Sequence, residues 1–200
     1  MTKLKAILIT LIVSLSSFGQ SVPLTSSPRD VAVDSKDNVF VLVKYGIIKI
    51  TPDGTLIELR KIEGNRALDV TFYNLVIDSK DNLFVAKDNI IKRIRISDDN
   101  KATIENYAGD PYKYRIADGN RNTAMFTNID RMAIDKNDNL YVTDSYDKIS
   151  DQIGTNYVTD PFYGKDKKLK YLKNFSLIRK ISATGEVSTL KNAEGKYVLP

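Results

Sequence analysis

The chain has 200 residues, 42% hydrophobic and 28% charged, the balance of one ordinary folded domain and not of a disordered chain. It contains no cysteine and no histidine, which excludes disulfides, thiolate or HExxH zinc sites, cysteine nucleophiles, Ser-His-Asp triads, histidine-held haem and an N-terminal lipoprotein cysteine. Carboxylates, lysine, tyrosine and oxygen-liganded metals are the chemistry left, and the ten glycines are scattered, so no phosphate-binding glycine loop is indicated.

The N-terminus reads as a secretory signal, residues 1–19. Lys3 and Lys5 precede an apolar stretch, Ala6 to Leu15, and Ser17-Phe18-Gly19 supplies small residues for cleavage. The stretch is too short for a permanent span, which needs about 20 residues. We therefore expect a secreted or periplasmic protein with no stable membrane anchor. The formal charge is +5; cleavage before Gln20 removes two of the 30 basic residues and none of the 25 acidic ones, so 28 − 25 leaves +3. That mild charge and export both argue against a nucleic-acid partner. Residues 20–27 form a short lead.

From Pro28 to Pro200 the chain repeats itself. Asp-x-x-Asp-Asn-(Val/Leu)-aromatic-Val occurs at Asp34–Val41, Asp78–Val85 and Asp135–Val142. Three copies in one context mark a repeat architecture, with units at about 28–60, 72–107 and 129–191. Each copy reads as four short strands, A to D. In copy one, strand A is Val31-Ala32-Val33. Asp34 to Asn38 is a polar turn, since Asp and Asn tolerate the left-handed conformation. Strand B, Val39 to Val43, is nearly all apolar and expected to be buried on both faces. Strand C is Ile47 to Ile50, Thr51-Pro52-Asp53-Gly54 is a tight turn, and Leu56 to Arg60 is an outer strand. Four strands every 45 residues or so indicate propeller blades: an all-β fold of antiparallel four-stranded blades, three of them visible.

The pattern resembles the NHL repeat of six-bladed β-propellers. Copy three carries the likeness best: Asp135, Asp138-Asn139-Leu140-Tyr141-Val142, Ile178-Arg179-Lys180-Ile181, Gly185 and Val187-Ser188-Thr189-Leu190. The segment Gly109 to Phe126 resembles the family's link between blades through Asp118-Gly119, Ala124 and Phe126. The chain departs from the family in having Asp where Gly often precedes Asn, a change expected to affect only the turn. The resemblance implies fold far more than role, because this fold hosts binding modules and enzymes alike. Three blades fall short of the 4–8 of a closed propeller. The chain reads as the front part of a longer one; the alternative is closure by a second copy into a six-bladed homodimer.

In such blades the A–B and C–D turns share one face of the disc, and the B–C loops and D–A links share the other. The two long insertions are Tyr107–Thr127, a D–A link, and Ser145–Phe175, a B–C loop, so they share a face. Long loops on a rigid scaffold commonly carry binding sites. The B–C insertion offers Tyr157, Phe162, Tyr163 and Tyr171, with Lys165, Lys167, Lys168, Lys170 and Lys173 around Asp166. Tyr112, Tyr114 and Arg115 in the other insertion extend the patch. Aromatic stacking and lysine pairing would suit a protein, peptide or anionic glycan; against this, charge runs are usually solvated faces. The Asp-rich turns carry oxygens suited to calcium, yet lack the EF-hand spacing and its glycine, and read as structural turns. Asp144 and Asp147 end strand B of copy three and read as solvated acids, although that position could reach the mouth of a central channel. We expect a binding module with no resident cofactor. The alternative is part of a calcium-dependent lactonase-like propeller hydrolase, its site completed by blades beyond residue 200. Propeller lyases of the NHL group use histidine-bound zinc, which this chain has no histidine to hold.

Overall fold

The computed structural model describes residues 27–61, 72–146 and 175–196. The expected leader therefore lies outside the described residues. Among those described there is no helix, and hence none long and apolar enough to cross a membrane. The strands are β1 (Asp30–Val33), β2 (Val39–Val43), β3 (Gly46–Ile50), β4 (Leu56–Glu58), β5 (Arg60–Lys61), β6 (Asn74–Ile77), β7 (Leu83–Lys87), β8 (Ile90–Ile96), β9 (Lys101–Ala108), β10 (Gly119–Asn120), β11 (Ile129–Ile134), β12 (Leu140–Tyr146), β13 (Phe175–Ile181) and β14 (Glu186–Thr189). They form three antiparallel meanders of four: β1-β2-β3-β4, β6-β7-β8-β9 and β11-β12-β13-β14. These are the blades of an all-β, propeller-type fold. Equivalent pairs hold one register throughout: Val39 opposite Ile50, Leu83 opposite Ile94, Leu140 opposite Ile181.

Two blades gain a fifth strand that the repeat does not announce. β5 leaves blade one and pairs parallel with β9 at the outer edge of blade two. β10, from the link between blades two and three, pairs antiparallel with β14. Each link thereby covers an edge that would otherwise expose unpaired backbone groups.

Strand alternation assigns every side chain to one of two faces. In blade two, Leu83 and Val85 point toward blade one, while Phe84 and Ala86 point toward blade three. Two core clusters result. One joins Phe40, Leu42, Ile47 and Leu59 of blade one and its exit to Leu75, Leu83, Val85 and Ile94 of blade two. The other joins Phe84, Ala86, Ile91 and Tyr107 of blade two to Phe126, Ile129, Leu140, Val142 and Ile181. The fully buried Leu and Ile side chains each stabilise the fold by roughly 1.5–3 kcal/mol. Burial of the middle blade on both faces explains the nearly continuous apolar run of β7, Leu83 to Ala86.

The A–B turns fasten the blades. In each, the first Asp accepts backbone bonds from two residues on, at 2.8–2.9 Å, and from four residues on, at 2.8–3.0 Å. The following Asn amide donates to the same carboxylate at 2.7–2.8 Å. The second acid, Asp37, Asp81 or Asp138, sits at φ 61°, where glycine would be at ease and Asp is tolerated. Its carboxylate corrects the expectation that Asp in place of Gly changes only the turn. Asp81 accepts the Ser35 backbone N–H at 2.8 Å and the Ser35 hydroxyl at 2.7 Å, across the joint from blade one. Asp138 takes the same two bonds, at the same lengths, from Ser79 of blade two. Glycine has no side chain to offer there.

These bonds hold the acids below their ordinary range. The backbone and then the hydroxyl of Ser35 lower Asp81; the hydroxyl and then the backbone of Ser79 lower Asp138. Asn139, by its amide and then its backbone N–H, brings Asp135 down to about 2. A carboxyl with a depressed folded value contributes stability above its unfolded value and loses it as pH falls through the folded one. We therefore expect the melting temperature to hold at neutral pH and to fall between about pH 5 and pH 2. Replacing Ser35 and Ser79 by Ala should flatten that acid limb. A limb of unchanged steepness in the double variant, followed by circular dichroism, would show that the joints do not carry it.

Candidate functional site

Because strands run alternately up and down, the disc has two unlike faces. The turn face carries the A–B turns just described and the C–D turns. The link face carries the B–C connections and the D–A links. Apart from Val31, the large hydrophobics exposed among the described residues are Tyr45, Tyr73, Tyr112 and Tyr114. All four tyrosines lie on the link face: Tyr45 in the β2–β3 turn, Tyr73 just before β6, and Tyr112 and Tyr114 in the link between β9 and β10.

Local chemistry props these rings up. The Arg29 guanidinium lies 4.7 Å from the centre of the Tyr73 ring and donates to the Phe72 carbonyl at 2.9 Å. The Lys44 ammonium lies 4.8 Å from the centre of the Tyr45 ring. Each contact couples a cation to an aromatic face and keeps an edge or face of the ring available. Tyr112 and Tyr114 flank a turn in which Lys113 pairs with Asp110 at 2.9 Å. Buried Asn89, in the β7–β8 turn, anchors that segment, its amide donating to the carbonyls of Asp110 at 2.5 Å and Lys113 at 3.0 Å. Gly109 makes the close approach possible: its φ is +91°, and a Cβ there would come within 2.2 Å of the Asn89 carbonyl. Tyr112 is 90% exposed, and such a ring on an anchored backbone is available for contact.

The link then turns inward onto blade three. Arg179 is fully buried. It donates to Asp144 and Asp118 and to the Ala117 carbonyl, each at 2.9 Å, and to the Met125 carbonyl at 3.2 Å. Its guanidinium stands 5.0 Å from the Phe126 ring centre, and its Nε has no partner among the described residues. Asp118 in turn accepts the Thr189 N–H at 3.0 Å and hydroxyl at 2.9 Å.

Asp144 corrects its sequence reading as a solvated acid. It is fully buried, because strand alternation turns it toward blade two and the link. Besides Arg179 it accepts the Thr127 N–H and hydroxyl at 2.8 and 2.7 Å and the Asn128 N–H at 3.0 Å. Burial pushes its carboxyl above the ordinary value, opposed by the Thr127 hydroxyl and the Arg179 charge. A carboxylate so enclosed acts structurally, binding the link to the blade. The oxygens of Asp34, Asp78 and Asp135 are likewise engaged within their turns. Among the described residues no three His, Cys, Asp or Glu side chains are grouped to hold a metal ion.

Of the sequence candidates, Tyr112, Tyr114 and Arg115 stand exposed on the link face, with Arg115 Nε 3.1 Å from Met125 Sδ. Tyr157, Phe162, Tyr163, Lys165, Lys167, Lys168 and Lys170, as well as Asp147, lie outside the described residues. Tyr45, Tyr73, Arg29 and Lys44 were not anticipated. Their sequence signal was slight: Tyr45 stands beside Lys44 in the β2–β3 turn, and Tyr73 follows Phe72 at the end of the link that enters β6.

No family model matches the chain, and no curated protein matches it. Solved structures do. A protein of unknown function from Bacteroides thetaiotaomicron superposes with a TM-score of 0.53 at 16% identity, over 83% of this chain and 36% of its own. An auxiliary nutrient binding protein from the same organism gives 0.48 at 11%, over 81% and 35%. A gluconolactonase from Xanthomonas campestris gives 0.46 at 11%, over 84% and 48%. The chain thus spans about a third of the length of the first two. At these identities the likeness is one of fold.

Arg179→Met should be costly, because it leaves the Asp144 carboxylate buried without its cation and two link carbonyls without their donor. Breaking a buried pair on one side costs about 3–5 kcal/mol. We expect a loss of that order in urea unfolding; a change within about 0.5 kcal/mol, typical of surface sites, would refute the structural role.

Proposed function

We propose that this chain belongs to an exported, NHL-type propeller that binds a glycan, peptide or protein through its link face and performs no chemistry there. The observation that carries the reading is the gathering on that face of the four tyrosines exposed among the described residues, two of them backed by cations. Tyrosine offers a large rigid contact with a polar tip at low entropic cost. A flat aromatic surface with hydroxyls suits sugar rings and extended peptides equally, and the basic residues favour anionic forms. The sequence of the β12–β13 insertion supports the same reading. Tyr157, Phe162, Tyr163, Lys165, Lys167, Lys168 and Lys170 repeat the mixture of aromatics and cations seen at Tyr45 and Tyr73. The leader motif at residues 1–19 supports a secreted or periplasmic place of action.

The test is a glycan and peptide array probed with the purified protein, followed by titration of the best hit. Tyr112→Ala with Tyr114→Ala should weaken that hit tenfold or more, and Tyr45→Ala with Tyr73→Ala should do the same. Melting temperatures should move little, because these rings join neither core cluster. Unchanged affinity in both double variants would remove the link face from the argument. Calcium-dependent melting together with hydrolysis of a lactone would favour the hydrolase instead.

A further inference from the structure

The joint between blades one and two carries a cluster on the link face that the repeat does not explain: Arg29, Lys44, Tyr45 and Tyr73. Backbone bonds fix their places. The Arg29 N–H donates to the Leu42 carbonyl at 2.8 Å, as the Tyr73 N–H does to Ala86 one blade on, at 3.1 Å. Arg29 therefore enters β1 alongside the end of β2, and the turn that follows β2 carries Lys44 and Tyr45. Paired strands lie about 4.8 Å apart, so the two cations start from neighbouring backbone positions. The Arg29 side chain crosses to blade two, where its guanidinium lies 4.7 Å from the Tyr73 ring centre and donates to the Phe72 carbonyl at 2.9 Å. The Lys44 ammonium lies 4.8 Å from the Tyr45 ring centre. Two cation–ring pairs thus meet at one joint.

The blade pattern does not call for them. Register puts Tyr73, Asp88 and Asn89 of blade two where blade one has Arg29, Lys44 and Tyr45. Ion pairing does not account for them either. Lys101, Lys113 and Lys196 each have an acid within 2.7–2.9 Å, whereas Arg29 and Lys44 have none among the described residues. The adjacent acid, Asp30, is engaged elsewhere: its two carboxylate oxygens accept the Val31 N–H at 2.9 Å and the Leu75 N–H at 2.8 Å.

A cation over a ring uses the negative face and leaves the positive edge outward. What each pair then offers a ligand is positive: N–H donors, a ring edge and a phenolic hydroxyl. Tyr45 and Tyr73 remain 57% and 50% exposed, so each ring also keeps apolar surface open beside its cation. The bond to the Phe72 carbonyl fixes the Arg29 fork and leaves its other N–H groups for a planar anion. The cluster suits a ligand that carries an anion and a flat apolar side in one rigid unit.

We propose that this joint is a subsite for the acidic unit of a glycan, a uronate whose carboxylate is held by Arg29 and Lys44 and whose sugar ring lies against Tyr45 or Tyr73. A uronate bears its carboxylate directly on the ring, so anion and flat side arrive together. An acidic peptide bears its carboxylate on a flexible side chain with no flat face, and loses more rotamer freedom in meeting both parts of the cluster. The subsite deepens the binding reading and rests on it.

The test is calorimetric titration of the full-length protein with a tetramer of galacturonate, with the methyl ester of that tetramer, and with a tetraglutamate peptide. The acidic tetramer should bind about tenfold more tightly than its ester, and its affinity should fall as salt rises. Arg29→Gln with Lys44→Gln should remove that preference and leave the ester unaffected. Lys44→Gln alone should weaken the acidic tetramer about threefold; the Lys44 ammonium makes no hydrogen bond or ion pair among the described residues, so this variant keeps the fold out of the question. Lys80→Gln removes the same charge from the turn face and should change nothing. No binding of the acidic tetramer at millimolar concentration would overturn the subsite. So would equal affinity for tetramer and ester, tighter binding of tetraglutamate, or an unchanged dissociation constant in Lys44→Gln. Should any of these occur while the paired tyrosine variants still weaken the array hit, the link-face reading stands and the uronate subsite alone falls.

Discussion

The blades are held in line by an aspartate that does two things at once. At φ 61° it closes the A–B turn, a backbone position where most side chains are strained. From that position its carboxylate reaches back to a serine of the preceding blade. Glycine would close the turn more easily and leave the joint unfastened. The modest conformational cost is thus offset by two charge-assisted bonds at each of the two joints. Spacing along the chain hides this, since the partners are 46 and 59 residues apart. In space the turns form a ladder along one rim of the disc, and that ladder leaves the opposite rim free to vary.

The longest described link shows what this freedom requires. The segment 109–128 between β9 and β11 cannot be held by turn chemistry alone. It is held at three points: Asn89 beneath the Asp110–Lys113 turn, β10 on the edge of β14, and the Arg179 cluster. Blade one has Val43 and Ile48 where blade three has Asp144 and Arg179, so the ion pair was not needed to pack a blade. Its partners explain it. Arg179 grips two link carbonyls and Asp118, while Asp144 grips the N–H groups where the link re-enters β11. Aliphatic residues would pack there but could not fix the path of a polar backbone.

Much of this is legible in the sequence, and the reasons for the gaps are specific. The octapeptide repeat and the turn residues define the strand order of the three described blades and the sharing of faces, because each rests on contacts within a few residues. Asp118, Ala124 and Phe126 stand out as link residues by resemblance, and all three anchor it. The fifth strands are invisible, since two residues carry no periodicity. Asp144 misleads because a carboxylate at the end of a strand looks solvated until its partner is known, and Arg179 is 35 residues away. Tyr45 and Tyr73 escape notice because a lone tyrosine in a turn or at the end of a link means little by itself. Their significance lies in where four such tyrosines converge.

Assembly and display are linked by geometry. Blades added head to tail around one axis keep their turn faces on one side of the disc and their link faces on the other. The tyrosines of successive connections, Tyr45, Tyr73, Tyr112 and Tyr114, therefore stand on one side. A ligand long enough to reach more than one of them would make the second contact intramolecularly, at an effective concentration set by their separation. A weak aromatic contact, sufficient for one sugar ring or one peptide turn, would then yield useful avidity for an extended ligand and little for a single unit.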